Sequence, residues 1–218
     1  MARPKPNPDE IRPQLIQNAV ALIKAKGFEG LTMKNLAQVS NMSVGKLYHF
    51  FPSKDDLFLT LEIEYFEGLY ACISLDGAKC SNVSARERFS TMLEAYYLYA
   101  VEHLELYKLV TSPPKVYSHY VGTKVEPLAK KELDAALRMI ALFRHGFEAA
   151  IFDGAQGLLA KELDQRFLLF VNSMHGLVLM SQSSAWAYIS HSSDSSALVE
   201  GDRQSVIDQL ALIMERLV

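Results

Sequence analysis

Apolar residues recur every three or four positions along most of this chain, the spacing that places them on one face of an α-helix. The first such segment carries them at Ile11, Leu15, Ile16, Ala19, Leu22 and Ile23. Strict alternation of apolar and polar residues, which marks a half-buried strand, is nearly absent from the sequence. The pattern therefore predicts an all-α protein.

Local capping signals divide the first 52 residues into three short helices. Gly27 is expected to end the first helix, in which Pro13 should lie in the first turn. Thr32 is suited to cap the N-terminus of the second helix, and Ser43 that of the third. Asn41 is one of the few non-glycine residues that tolerate the left-handed backbone of a tight turn. These signals predict two short helices joined by a three-residue turn.

A longer helical body is predicted to follow. Ser53 and Asp56 have the spacing of a capping box, which starts a fourth helix that runs to about residue 75. Later helices are expected at about 85–111, 125–153, 162–190 and 203–217, separated by segments rich in Gly, Pro and Ser. The predicted organisation is an N-terminal three-helix domain over residues 1–52, with an arm at 1–8, and a larger C-terminal helical domain over residues 53–218.

The two predicted domains differ in charge. Through residue 54 the chain holds eight Lys and Arg against three Asp and Glu, a formal charge of +5, and the remainder holds 14 against 22, or −8. A basic module on an acidic body is typical of a protein that binds a polyanion, and clustering by chance is the alternative explanation.

The stretch SNMSVGKLYHFFPSK, residues 40–54, contains the chemistry that such a module needs. Two short helices joined by a three-residue turn form a helix-turn-helix, whose second helix enters the major groove of DNA. Lys46 can donate to guanine O6 and N7 or to a phosphate, while Tyr48, His49 and Lys54 can donate to flanking phosphates. Gly45 costs about 1 kcal/mol of helix stability relative to Ala, yet it permits close approach of the backbone to a partner. The stretch therefore predicts a helix that lies on DNA.

Residues 27–58 resemble the DNA-binding signature of the TetR family of transcriptional regulators. The resemblance is carried by residue types at fixed spacing: Gly27, Phe28, Thr32, Leu36, Ala37, Ser43, Gly45, Leu47, Tyr48, Phe50, Phe51, Ser53, Lys54, Leu57 and Phe58. Asn41 stands where the family often has Gly, and Asn35 stands where Glu would complete a capping box. The resemblance implies a bacterial, homodimeric repressor that binds a palindromic operator in double-stranded DNA and is released by a small-molecule effector.

The resemblance also implies individual roles in DNA binding. Thr32, Lys34, Tyr48, His49 and Lys54 would contact phosphates, and Met42, Ser43, Val44, Gly45 and Lys46 would lie at or near base edges. Structural roles are the alternative for some of them. Thr32 and Ser43 cap helices in either case, Tyr48 could belong to the core, and His49 could have no function.

A homodimer joined through the last two helices is the family's expected assembly. Residues 167–189 are apolar around most of the helix circumference, and residues 206–218 are amphipathic, so both need cover from their own domain or from a partner. The expected dimerisation residues are Phe170, Ser173, Met174, Leu177, Met180, Leu210, Ile213 and Met214.

Aromatic residues are frequent in the middle helices, and two interpretations of them stay open. They form core, or they line an apolar cavity for a lipophilic or aromatic molecule. The second interpretation gives the expected ligand-binding residues Tyr96, Tyr99, His103, Tyr107, Phe143, Phe147 and His175. No spacing of His or Cys indicates a metal site, and no cofactor is expected.

Other classes of function have less support in the sequence. An enzyme is not expected, because there is no Gly-x-Ser-x-Gly, phosphate-binding glycine loop or His-Glu-x-x-His motif. The alternatives are an effector-independent architectural DNA-binding protein and an all-α enzyme with a histidine site in the C-terminal body. The sequence has neither the apolar segment of a secretory signal nor an apolar stretch long enough to span a membrane, so a cytoplasmic protein is expected.

Overall fold

The computed structural model describes residues 8–79, 83–152, 160–183 and 203–217. Within these ranges the regular structure is helical and no strand occurs. The helices are α1 (Pro8–Gly30), α2 (Met33–Val39), α3 (Val44–Phe50), α4 (Lys54–Lys79), α5 (Ala85–Glu102), α6 (Leu104–Thr111), α7 (Glu126–Phe152), α8 (Ala160–Met180) and α9 (Arg203–Leu217), with a 3-10 turn at Tyr117–His119. The predicted all-α class is confirmed.

The chain divides into two compact units. The first unit comprises the residues through Gly68 together with His103–Leu137, and the second comprises Leu69–Glu102 together with Arg138–Val218. The units do not follow the predicted boundary between residues 52 and 53, because Leu59 of α4 packs with Tyr120 and Ala129 in the first unit. The predicted division into a DNA-binding domain before residue 53 and an effector-binding and dimerisation domain after it stays a prediction, because the compact units do not indicate which residues bind DNA or effector.

In the first unit, α1 is the longest helix of the N-terminal region, and its apolar face is buried as the pattern predicts. Leu15, Ala19, Leu22 and Ile23 are all at most 5% exposed. Gly27 has a positive φ of 68°, which interrupts the helix and leaves residues 28–30 as a separate last turn. The prediction for Pro13 is wrong: it lies inside the helix rather than in the first turn, because the helix already begins at Pro8.

Several helix boundaries differ from those predicted. The segment expected to be one helix over 85–111 is two, because His103 leaves helical geometry (φ −111°, ψ 34°) between α5 and α6. Helix α4 continues to Lys79, past the expected end near residue 75. The helix expected over 162–190 ends at Met180, followed by turn residues 181–183. Residues 184–202 and 1–7, which include the predicted serine-rich loop and most of the N-terminal arm, lie outside the described residues.

The second unit contains a cluster of phenylalanine rings. The rings of Phe89, Phe167 and Phe170 all lie within 6 Å of Phe147, at centroid distances of 5.9, 5.5 and 5.3 Å. Gly146 allows this packing, because a Cβ there would lie 2.8 Å from Cδ2 of Phe89. These contacts join α5, α7 and α8 in one core.

Candidate nucleic-acid interface

Helix α2 is fixed at its N-terminus by local hydrogen bonds. Thr32 caps its N-terminus, with Oγ1 accepting from the backbone N–H of Asn35 at 3.1 Å. The Asn35 side-chain amide donates to the carbonyl oxygen of Gly30 at 2.8 Å. An ionised Glu at this position has no N–H or O–H and could not donate this hydrogen bond. Leu36 and Ala37 are buried, so α2 is held to the first unit by its apolar face.

The turn after α2 depends on a left-handed residue. Asn41 has a φ of 52°, as its position in the sequence predicts, and its N–H donates to Gln38 O at 3.1 Å. Met42 then donates from its N–H to Ala37 O at 2.9 Å, which closes the turn and sets the direction of α3. Ser43 caps α3 by accepting from the N–H of Lys46 at 3.2 Å. The predicted helix-turn-helix is therefore present, with both predicted caps.

Helix α3 is bound to the protein through few side chains. Leu47 is its fully buried residue, and Phe51, just past its end, is also 0% exposed. Arg12 of α1 holds the same end by donating from Nη1 to Phe50 O at 3.1 Å and by stacking its guanidinium 5.0 Å from the centre of the Phe51 ring. Asn18 of α1 donates to Ser40 Oγ at 3.0 Å, at the end of α2. Two polar side chains of α1 thus fix the two helices of the motif.

The residues predicted to contact DNA are presented to solvent. Thr32, Lys34, Ser43, Val44, Gly45, Lys46, Tyr48, His49 and Lys54 are exposed, and Met42 is half-buried. Tyr48, for which a core position was the alternative, is 45% exposed. No atom lies within 4 Å of a Cβ built on Gly45, so this glycine is not required by packing inside the chain. These residues lie on α2, the turn and α3, and Lys54 begins α4.

The two carboxylates that follow Lys54 at the start of α4 are already engaged. The predicted pair Ser53 and Asp56 starts α4, with Ser53 Oγ accepting from the Asp56 N–H at 3.1 Å and donating to Asp56 Oδ2 at 2.6 Å. Asp55 pairs with Lys115, whose Nζ lies 2.6 Å from Asp55 Oδ2. Because both carboxylates at the start of α4 have partners, their electrostatic repulsion of a bound phosphate is weaker than that of two unpaired carboxylates. The sequence indicated neither Arg12 nor Lys115, since both act across long sequence separations.

The predicted ligand-binding residues are distributed over both units. His103 and Tyr107 belong to the first unit, and Tyr96, Tyr99, Phe143, Phe147 and His175 belong to the second. Tyr96 meets Phe143 edge to face at 5.1 Å, whereas Phe147 is 0% exposed within the phenylalanine cluster. Burial lowers the pKa of His175. The ligand-binding role of this set stays a prediction.

The predicted dimerisation residues fall into two groups. Phe170, Met174, Leu177 and Leu210 are buried within their own chain, and Met180 is 41% exposed. Ser173 and Ile213 are half-buried, and the side chain of Met214 lies outside the described part of the structure. The exposed apolar stripe of α8 instead contains Leu168, Leu169, Leu179 and Met180, and Leu212 is exposed on α9. The dimerisation role of the predicted residues stays a prediction. The apolar side chains that α8 exposes for contact with a partner are Leu168, Leu169, Leu179 and Met180.

The described residues contain neither a membrane-spanning helix nor a cluster of metal ligands. No described helix combines the length and apolar character needed to cross a membrane. No group of three or more His, Cys, Asp or Glu in the described ranges is arranged to hold a metal ion.

Comparison with known proteins identifies the N-terminal region. The family described as bacterial regulatory proteins, tetR family, matches residues 15–61, which contain α2, α3 and their flanks. The probable HTH-type transcriptional regulator YttP of Bacillus subtilis is 25% identical over 97 residues, 44% of this chain and 47% of that protein. The biofilm operon icaADBC HTH-type negative transcriptional regulator IcaR of Staphylococcus aureus is 23% identical over 118 residues, 54% of this chain and 63% of that protein.

These matches span about half to three fifths of the length of the two curated relatives. The fold extends further. A bacterial regulatory protein in the tetR family from Rhodococcus RHA1 superposes with a TM-score of 0.68 over 95% of this chain and 97% of that chain, at 14% identity. The helix-turn-helix and its flanks therefore match the DNA-binding region of the tetR family, and the chain as a whole shares the all-helical fold of that solved structure.

Proposed function

We propose that this protein is a homodimeric transcriptional repressor that binds a palindromic operator through α3 and is released by a lipophilic or aromatic small molecule. The observation that carries the proposal is the exposed N-terminal part of α3, where Ser43, Val44, Gly45 and Lys46 project from a rigid frame. Such a turn fits the major groove, and base-reading side chains lie near the N-terminus of a recognition helix.

Flanking side chains support the same surface. Lys34 and Lys46 supply positive charge, and Tyr48 and His49 supply hydrogen-bond donors on either side of the predicted base contacts. Contacts of this kind position a protein on the DNA backbone without reading its sequence. A palindromic site requires two such surfaces related by two-fold symmetry.

The exposed stripe on α8 supports a dimer. Leu168 and Leu169 are 62% and 53% exposed, and Leu179 and Met180 continue the stripe near the end of the helix. An apolar stripe of this length is unfavourable in water and is typical of a surface that a partner covers. A second copy of this chain is the proposed partner.

The repressor role has support from one relative, since IcaR is named a negative transcriptional regulator. The effector part of the proposal rests on the aromatic residues of the chain, several of which, such as Tyr96 and Tyr99, are only half-buried.

A binding titration tests the DNA-binding proposal. The purified protein is titrated onto DNA upstream of its own gene at two salt concentrations, as wild type, as Lys46→Ala/Tyr48→Ala and as Lys131→Ala, an exposed lysine on α7 that serves as the charge control. The expected result is tight, salt-sensitive binding that the double variant loses and the control keeps, with a salt slope reduced by about 1 for each lost phosphate contact. Binding unchanged in the double variant, or no retention of any genomic fragment by the wild type, would contradict the proposal.

A thermal-stabilisation screen tests the effector proposal. Lipophilic and aromatic compounds are first screened for those that raise the melting temperature, because a ligand that binds the folded protein stabilises it by mass action. These compounds are then added to the protein–operator complex, since an effector that binds the DNA-free conformation better shifts the population toward it. Release of DNA by a stabilising compound is expected, and stabilisers that all leave operator affinity unchanged would argue for an effector-independent DNA-binding protein.

A further inference from the structure

Val44 is an exposed apolar side chain on the helix that is proposed to bind DNA. It is the first residue of α3 and is 37% exposed, whereas Leu47 on the same helix is 0% exposed and holds α3 to the first unit. Valine has a lower helix propensity than Ala, because its branched side chain loses rotational freedom in a helix. Helix formation therefore does not favour a valine at this position, and packing leaves more than a third of its surface exposed.

The neighbours of Val44 leave space for a partner. Gly45 has no side chain, and a Cβ built on it would meet no atom within 4 Å. A base edge can therefore come close to the backbone at Gly45 and to the side chain of Val44 beside it. On the other side, Ser43 Oγ accepts from the backbone N–H of Lys46 at 3.2 Å. This bond fixes the backbone on which Val44 is carried.

The composition of α3 limits which bases its side chains can read. Residues 42–50, MSVGKLYHF, contain no Asn, Gln, Asp, Glu or Arg. Asn and Gln are the side chains that pair with two atoms of adenine, and Asp and Glu accept from the amino group of cytosine. A serine hydroxyl can donate or accept, so it discriminates poorly between bases. The helix therefore lacks the usual readers of adenine and cytosine.

Thymine is the base whose recognition requires an apolar side chain. In the major groove it presents a C5-methyl group, which no other base of unmodified DNA carries there. Contact between this methyl group and the methyl groups of Val44 removes apolar surface of both partners from water. Lys46, two residues later, is exposed and can donate to guanine O6 and N7. The side chains of α3 thus match thymine and guanine.

A second exposed valine, Val39, lies in a different setting. It is 53% exposed at the last position of α2, whose Leu36 and Ala37 are buried. The adjacent Ser40 accepts from the side-chain amide of Asn18 at 3.0 Å, which ties this end of α2 to α1. In a helix-turn-helix the second helix enters the major groove, while the first crosses the backbone. Val44 is therefore the valine placed to contact bases.

We propose that Val44 is a specificity-determining residue that contacts the C5-methyl group of a thymine in each half of the operator, near a guanine contacted by Lys46. The inference deepens the proposed function and rests on it, since contact with a base requires that α3 bind DNA. It assigns to Val44 a discrimination that depends on a single methyl group of the DNA.

Replacing thymine by uracil in the DNA tests the contact with an unaltered protein. Uracil pairs with adenine as thymine does and lacks only the C5-methyl group. The fragment that the wild type retains from genomic DNA is prepared by amplification with dTTP or with dUTP, and both forms are titrated at two salt concentrations. The proteins are the wild type, Val44→Ser and the matched control Val39→Ser, and urea unfolding shows that each variant is folded.

The wild type should bind the uracil fragment more weakly, by about fourfold for each contacted methyl group and about 16-fold for two half-sites. Val44→Ser should bind the two fragments with equal affinity, because it has no methyl groups to lose contact. Val39→Ser should keep the ratio of the wild type. The salt dependence should be the same for both fragments, since a methyl contact releases no counterions.

Equal affinity of the wild type for the two fragments would overturn the proposal, whatever the variants do. A full response to uracil in Val44→Ser would also overturn it, because the effect would then come from the shape of the DNA or from another residue. Loss of the response in Val39→Ser alone would place the reading of the methyl group on α2. DNA binding without a response to uracil would reject only the thymine contact, whereas no retention of any genomic fragment would reject the proposed function as well.

Discussion

Arg12 of α1 donates from Nη2 to Oγ1 of Thr60 on α4 at 3.0 Å, while its Nη1 donates to the carbonyl of Phe50 at the end of α3. One guanidinium thus joins three helices of the first unit. Thr60 is itself held in place, because its hydroxyl donates to Asp56 O at 2.7 Å. The orientation of α3 depends on this link, since Leu47 is the buried residue within α3 itself.

Replacing Arg12 by Lys should destabilise the protein by about 1–2 kcal/mol. The single nitrogen of an ammonium group cannot occupy the positions of both guanidinium nitrogens, which donate to Phe50 and Thr60. The free energy of unfolding in urea measures the change. The reciprocal change Lys24→Arg, at an exposed position on the same helix, is the control and should stay within about 0.5 kcal/mol of wild type. An unfolding free energy of Arg12→Lys equal to that of the control would show that the link is not structural.

Gly45→Ala should separate stability from DNA binding. A Cβ at this position meets no atom within 4 Å, so the variant should gain about 0.5–1 kcal/mol from the higher helix propensity of Ala. The same methyl group occupies the space into which a DNA backbone or base edge would come, so operator affinity should fall.

Gly27→Ala is the contrasting control for Gly45. The positive φ of 68° at Gly27 makes any side chain unfavourable there, and the variant should lose stability. Urea unfolding and operator titration are measured for both variants. Undiminished operator binding by Gly45→Ala would mean that this turn of α3 is not in contact with DNA.

Replacing Leu168 and Leu169 together by Ser should convert a dimer to a monomer. Both side chains are more than half exposed in the single chain, so their removal should cost the fold little while it removes apolar contact area from the proposed interface. Sedimentation equilibrium at micromolar concentration measures the mass. Leu137→Ser, at an apolar residue of α7 that is 52% exposed, should remain dimeric. If the double variant kept the mass of the wild-type dimer, the interface would lie elsewhere.

Glu62 should make stability decrease as the pH rises. Its pKa is about 8 in the folded protein against an ordinary value of 4.5, so between these values the unfolded chain is ionised and the folded chain holds the proton. The contribution of Glu62 is therefore present in full below about pH 4.5 and is lost as the pH rises through 8, with a slope of at most about 1.4 kcal/mol per unit.

The variant Glu62→Gln should remove this part of the pH dependence and be the more stable form at pH 9. Urea unfolding between pH 5 and 9 measures it, and the exposed Glu64→Gln provides the reference curve. Parallel curves for Glu62→Gln and wild type would mean that the Glu62 carboxyl is not the group that titrates.

The parts of the fold that sequence analysis predicted are those that depend on neighbouring residues. Thr32, Ser43 and the pair Ser53 and Asp56 cap helices through bonds that span three residues, and Asn41 adopts the left-handed geometry within its own turn. Signals of this kind are contained in a few consecutive residues and need no knowledge of the rest of the chain.

The parts that were missed depend on distant residues. Apolar positions continue through residues 85–111, so nothing local marked the break at His103. An all-apolar helix does not reveal which side faces its own core, and Phe170 and Met174 turned out to face inward while Leu168 faces outward. Glu62, in the segment LEIEYF, would be expected at the surface, yet it is 4% exposed, and the charge of Glu132, which is distant in the sequence, adds to burial in raising its pKa.

The attachment of α3 through Leu47 has a consequence for evolution. Because Leu47 is the one position of this helix that the interior fully encloses, the remaining positions can change with little effect on folding. A lineage carrying this scaffold is therefore free to acquire new target sequences by substitutions on one short helix, without compensating changes in its core. The same freedom makes α3 a suitable segment for engineered exchange of binding preference.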